Sequence, residues 1–200
     1  MNKRGRKVGA NGAKSRELLL HIAAEEFAQN GYHDTKISTI VKTANVTQPT
    51  FYLYFKNKEA IFKELVDNFK EKLSTLTRDS RLSNNMDPQL AQARIKENLT
   101  SVFRLLEHNK HVARIGFILS DDAYEIKEKM SKQIEQNLTV EVQHGYFHSN
   151  IDLSTVAFSL IGAIERLTIT KLWTDKKNSE ELAEEVTELF LYGLSKNARS

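Results

Sequence analysis

Cysteine is absent from this 200-residue chain, and proline occurs only at Pro49 and Pro88. The first absence excludes disulfides and thiolate metal sites and fits a reducing cytoplasm as the expected location. The second, with few alternating apolar and polar runs, makes an all-α chain the expectation. Neither a Gly-rich phosphate loop, nor a nucleophile elbow, nor a His-Glu metal motif occurs, so no enzyme is expected. Residues 1–14 are polar and basic, without the apolar core of a secretory signal. The most apolar segment, Leu153–Trp173, is interrupted by Glu165, Arg166 and Lys171 and reads as a buried helix rather than a membrane span.

Charge is present but unevenly placed. Residues 1–78 hold 14 Lys and Arg against 8 Asp and Glu, a net +6, while the remainder is net −3. A basic N-terminal module on a mildly acidic body is the layout of a DNA reader joined to something else. Within that module, Ile37–Phe62 reads as two short helices and a tight turn. Ile37, Ile40 and Val41 form the apolar face of the first, and Asn45 tolerates the positive φ of the turn. Thr47 caps the second helix through its hydroxyl, and Pro49 falls in the first turn, where a missing N–H costs nothing. The pattern is a helix-turn-helix whose second helix can enter the major groove.

The segments ELLLHIAAEEFAQNGYHDTKISTI and VTQPTFYLYFKNKEAIF resemble the DNA-binding domain of the TetR family of transcriptional regulators over about residues 15–65, with Phe27, Gly31, Tyr32, Ile40, Thr47, Tyr52, Tyr54, Phe55, Lys58 and Glu59 at matching spacing. One departure is visible: the family's cap and acid at the start of the second helix are here Lys36 and Thr39, with Asp34 or Thr35 as substitutes. The resemblance implies that Gln48, Thr50 and Tyr52 project toward the groove, while Thr47, Tyr54 and Lys58 meet phosphates. Lys36 and Pro49 join that contact set, and Phe51 and Phe55 face the core. Arg4 and Arg6 of the basic arm either lie in a narrow minor groove or add non-specific attraction as a solvated tail.

The expected organisation is a flexible arm over residues 1–14, a three-helix DNA-binding domain over 15–57, and a helical ligand-binding and dimerisation bundle over 58–200. Helix 58–78 links the two, and about nine helices are expected in all. Phe103, Phe117, Tyr124, Tyr146, Phe158 and Trp173, with Glu165 and Arg166, are either a lined pocket or a packed core. The small residues Ser159, Gly162 and Ala163 allow close helix approach, and the resemblance implies a homodimer through the last two helices, with Val186 and Phe190 contributing. His108/His111 and His144/His148 read as surface histidines rather than metal ligands. The expected function is a ligand-responsive DNA-binding regulator, a repressor acting as a homodimer on double-stranded DNA at a near-palindromic operator. It would have no cofactor and no membrane partner, and its small-molecule effector is unidentified. A ligand-independent architectural protein and a helical interaction module are the alternatives.

Overall fold

The computed structural model describes residues 8–84, 86–148 and 150–194. Among these, nine α-helices and two π-helical turns form without any strand. The helices are α1 (Val8–Asp34), α2 (Ile37–Thr43), α3 (Gln48–Tyr52), α4 (Lys58–Asp79), α5 (Pro88–His108), α6 (Lys110–Arg114), α7 (Ala123–Gln143), α8 (Leu153–Leu167) and α9 (Ser179–Tyr192). The π turns Ile115–Leu119 and Thr168–Leu172 extend α6 and α8. Side chains cap several helix starts: Asn57 accepts the Ala60 N–H at 2.8 Å, and Asp152 accepts that of Ser154 at 3.1 Å. At the last helix Asn178 and Glu181 form a reciprocal capping box, and Ser179 is the first helical residue.

One expectation is corrected at the N-terminus. Helix α1 begins at Val8, so the helix takes in half of the segment expected to be a flexible arm. Propagating an existing helix costs far less than nucleating one, so Gly9 and Gly12 do not end it. Arg4 and Arg6 lie outside the described residues. At the other end, Gly31 does break the helix (φ 78°, ψ 169°), a backbone state that side chains rarely adopt.

Helices α1–α3 and the start of α4 close over Phe27, Ile40, Phe51 and Phe55, all nearly inaccessible. Phe62 of α4 packs edge-on against Phe27, with ring centres 5.0 Å apart, and tilted against Tyr32 at 4.8 Å. The row Ile61, Leu65, Phe69, Leu73 then carries α4 out of this head and into the body as one buried stripe. In the body α5 packs along α9, α7 along α8, and α4 against both α5 and α7, while α1 also touches α6. The core is continuous from head to body.

The most apolar helix departs from expectation. Leu153–Leu172 is long and apolar enough to cross a membrane by length and composition, yet only 22% of it is buried in a single chain. Phe158 is 49% exposed, and Ser159 and Gly162 lie on the same open face.

The π turn after α6 brings Gly116 against α4. A Cβ built there would lie 2.6 Å from Cδ1 of Phe69, whose ring is itself buried and stacks edge-on with Phe117. Neither ring has free space to yield. Gly116→Ala is expected to lower stability by about 1–3 kcal/mol through overpacking, read as a fall in the urea midpoint with an unchanged m-value.

Candidate nucleic-acid interface and effector cavity

The turn between α2 and α3 follows from local chemistry. Asn45 sits at φ 52°, and the N–H groups of Ala44, Asn45 and Val46 donate back to the carbonyls of Ile40, Lys42 and Val41. Thr47 Oγ1 accepts the Thr50 N–H at 3.4 Å and lies 2.9 Å from Thr50 Oγ1, so these hydroxyls hold each other in place. Phe51 and Phe55 anchor the inner face. The outer face then presents Thr47, Gln48, Pro49 and Tyr52, with Thr50 half-buried and Tyr52 54% exposed. Tyr54 is half-buried, its hydroxyl beside the first turns of α1, 3.4 Å from where a Gly12 Cβ would be. Lys36 is exposed at the start of α2 without a capping bond. Thr35 does not substitute as a cap: it is buried and donates to the carbonyls of Gly31 and Glu26. Leu53 escaped the sequence reading. It is 78% exposed at the end of α3, an apolar side chain on a recognition surface that only the three-dimensional arrangement exposes.

Lys58 is corrected. Its ammonium donates to the carbonyls of Tyr32 (2.6 Å), His33 (3.1 Å) and Thr35 (2.9 Å) and sits 4.5 Å from the centre of the Tyr32 ring. All three ammonium protons are used, so none is left for a phosphate. The cause is electrostatic. A cation is disfavoured over the N-terminus of its own helix and favoured at the carbonyl-rich end of another, and the Gly31 break turns those carbonyls toward it. Arg16 adds a second tie, with Nη2 2.6 Å from both carboxylate oxygens of Glu64 and its guanidinium over Phe55 at 5.2 Å.

In the body, a cavity of about 500 Å³ opens between α4, α5, α7, α8 and α9. Most of the expected pocket residues lie elsewhere. Phe103 and Phe117 are sealed in the core, Tyr124 is 73% exposed and Phe158 faces outward. Glu165 is held by Lys127 at 2.9 Å. Tyr146 alone of that set lines the cavity, and its hydroxyl donates toward the carbonyls of Ser83 and Met86 in the loop after α4. Aliphatic side chains, among them Leu76, Ile95, Ile134, Leu138, Leu160 and Ile164, make up much of the remaining wall, with Phe147, Phe190 and Tyr192 beside them. The expected aromatic set was a poor guide because Phe103 and Phe117 fill the core while Tyr124 and Phe158 face outward.

Of the expected dimer residues, Ser159 and Gly162 are exposed and Ala163 is half-buried. Val186 is 2% exposed inside the chain, and Phe190 lines the cavity. Val186 therefore has no surface to offer a partner, Phe190 is half-buried, and Phe158 and Leu189 (46% exposed) are the large exposed apolar side chains of α8 and α9. A charged residue, Glu141, lies in the cavity wall, 5% exposed, accepting the buried N–H of Leu82 at 3.1 Å. Burial pushes its carboxyl above the ordinary value of 4.5, against the opposing pull of the Leu82 N–H and of Arg81. Among the described residues, no group of three or more potential metal ligands gathers anywhere.

The geometry defines a helix-turn-helix DNA-binding regulator with an internal cavity. Comparison with known proteins agrees: residues 19–65 match the family described as bacterial regulatory proteins, tetR family. An uncharacterized HTH-type transcriptional regulator of Bacillus subtilis, YdgC, is 42% identical over 92% of this chain and 95% of its own length. The fatty acid metabolism regulator protein of the same species is 29% identical over 88% and 93%. Among solved structures, the B. subtilis regulator FadR in complex with stearoyl-CoA superposes with a TM-score of 0.66 at 25% identity, covering 90% of this chain and 99% of that one. The chain belongs to the TetR family of transcriptional regulators.

Two outcomes follow from the site. Lys58→Met should lower stability by about 1–3 kcal/mol, since three carbonyls lose a charged donor, measured by chemical denaturation. For Glu141, the native protein retains a proton that the unfolded chain has released between pH 4.5 and the raised native value. Stability therefore falls as pH rises through that window. The groups around it are Arg81, the Leu82 N–H, Tyr146 and His148. Glu141→Gln keeps the acceptor for Leu82 and should flatten this part of the melting temperature–pH profile; an unchanged slope would contradict the assignment.

Proposed function

We propose that the chain is a homodimeric repressor that reads a near-palindromic operator through α3 and releases it when an apolar effector fills the body cavity. The observation that carries this reading is the span of α4. Lys58 at one end clamps the DNA-binding head, and Leu76 and Thr77 at the other end line the cavity. In this reading Gln48, Thr50 and Tyr52 meet base edges, with glutamine suited to adenine, while Thr47, Pro49, Tyr54 and Lys36 lie along the backbone. Leu53 adds apolar surface suited to a thymine methyl group. The arm with Arg4 and Arg6 supplies further phosphate attraction.

The second copy would cover the open face of α8 and α9, where Phe158, Ser159, Gly162 and Leu189 are exposed. Nothing lies within 4 Å of a Cβ built at Gly162, so another helix can approach that point closely. Such a pairing would set two recognition helices about 34–36 Å apart or a little more, matching successive major grooves. The aliphatic walls suit an effector with an alkyl or acyl chain, in keeping with the stearoyl-CoA bound by the B. subtilis relative. The protein would act in the cytoplasm, with no cofactor.

Selection of bound duplexes from a random pool at near-physiological salt is expected to return one near-palindromic motif. Recovery of A·T-rich DNA without a motif would contradict the reading. On the selected operator, Tyr52→Ala should cost about 1–3 kcal/mol of binding and leave non-specific affinity and the melting temperature nearly unchanged. Equal losses on both DNAs would make Tyr52 a phosphate contact instead.

A further inference from the structure

The polar groups of the cavity wall are almost all spoken for. Asn137 donates to the Thr77 carbonyl at 2.9 Å and to Ser80 Oγ at 3.1 Å. Asn98 donates to the Ser80 carbonyl at 2.7 Å, Thr187 to the Ala183 carbonyl at 2.7 Å, and the Tyr146 hydroxyl is held by the loop after α4. Glu141 is different. Its Oε1 accepts from Leu82, while Oε2 has no hydrogen-bond partner among the described residues and keeps solvent contact in a residue only 5% exposed that lines the cavity. Among the described residues the wall contains neither lysine nor arginine, its histidine, His148, is exposed, and Arg81 acts on Glu141 through its charge without a hydrogen bond. That open oxygen lines a partly enclosed cavity, where a charged donor on a ligand forms a stronger hydrogen bond than it would in bulk water.

Resting on the reading of this cavity as the effector site, we propose that it takes an elongated apolar molecule bearing one protonated amine or similar donor group, which Glu141 receives through Oε2, and that it discriminates against chains ending in a carboxylate. The apolar part lies along Ile95, Ile134, Leu138 and Leu160, and the donor reaches the end where α7 meets the loop after α4. A carboxylate there would meet a like charge in a weakly screened site whose described wall contributes no lysine or arginine. A ligand held at Glu141 also touches the residue that fixes the Leu82 backbone, three positions beyond the end of α4. The head-group contact thus lies beside the helix that reaches the DNA-binding head.

The test uses three probes of one chain length, dodecylamine, dodecanol and dodecanoate, titrated calorimetrically into the intact protein at neutral pH below their micellar concentrations. The amine is expected to bind at least about tenfold more tightly than the carboxylate, with the alcohol between them. The net charge of +3 biases adventitious surface binding toward the carboxylate, so the expected order is not a surface effect. Glu141→Gln, which preserves the Leu82 acceptor, should bring the three affinities within about threefold of one another. Equal affinities in the wild type, or tighter dodecanoate, would overturn the charge assignment while leaving the cavity as an alkyl site. An amine preference that survives Glu141→Gln would overturn the role of Glu141. Failure of all three probes to bind would remove the effector cavity itself, and the proposal with it.

Discussion

Helix α4 belongs to two structures at once, and the clamp at its start makes that possible. Lys58 places one cation among three carbonyls released by the break at Gly31, so the first turn of α4 cannot move without carrying the end of α1. Phe62 locks the same turn into the aromatic cluster of the head, and Arg16–Glu64 ties it again one turn on. The whole helix is about 33 Å long for its 22 residues, and its later turns are held in the body by Phe69 against Gly116 and by Asn137 at the Thr77 carbonyl. A packed helix of this kind transmits displacement rather than absorbing it, because close-packed interiors repack between discrete arrangements and do not stretch.

The cavity sits at the far end of that helix. Phe103, Phe117, Leu106 and Ile115 fill the centre of the body, while the cavity lies toward the side where α8 and α9 complete its wall and leave an open outer face. Occupancy there can act on α4 in two ways: directly at Leu76 and Thr77, and through Glu141 on the Leu82 backbone. An effector shifts the head only to the extent that it binds one arrangement of α4 better than another, so the contacts it makes at these positions set the size of the response.

Much of this was legible from residue order. The turn at Asn45, the Thr47 and Asn57 caps, the inward Phe51 and Phe55 and the stripe Ile61–Leu73 follow from local rules, because capping, positive φ and helical periodicity act over a few residues. What sequence could not give depends on distant partners. Lys58 carries the spacing of a phosphate contact, but its proton partners lie 23–26 residues away. Glu141 reads as one more surface acid on α7 until the loop after α4 folds Leu82 over it. The aromatic residues left pocket and core open, and they divide: Phe103 and Phe117 enter the core, Tyr146 lines the cavity, and Tyr124 and Phe158 are exposed, while Val186 points inward although its neighbour Leu189 points out.

The absence of native cysteine allows a single spin label per chain, and Lys42→Cys places it on an exposed turn of α2 beside the recognition helix. The decisive measurement is the label-to-label distance across the proposed homodimer by pulsed electron resonance, with the cavity empty and with it saturated by a bound alkyl probe. If α4 couples cavity to head, the distance distribution shifts on saturation, and Lys58→Met removes the shift while leaving probe binding intact. Superimposable distributions with the cavity empty and full would contradict the coupling.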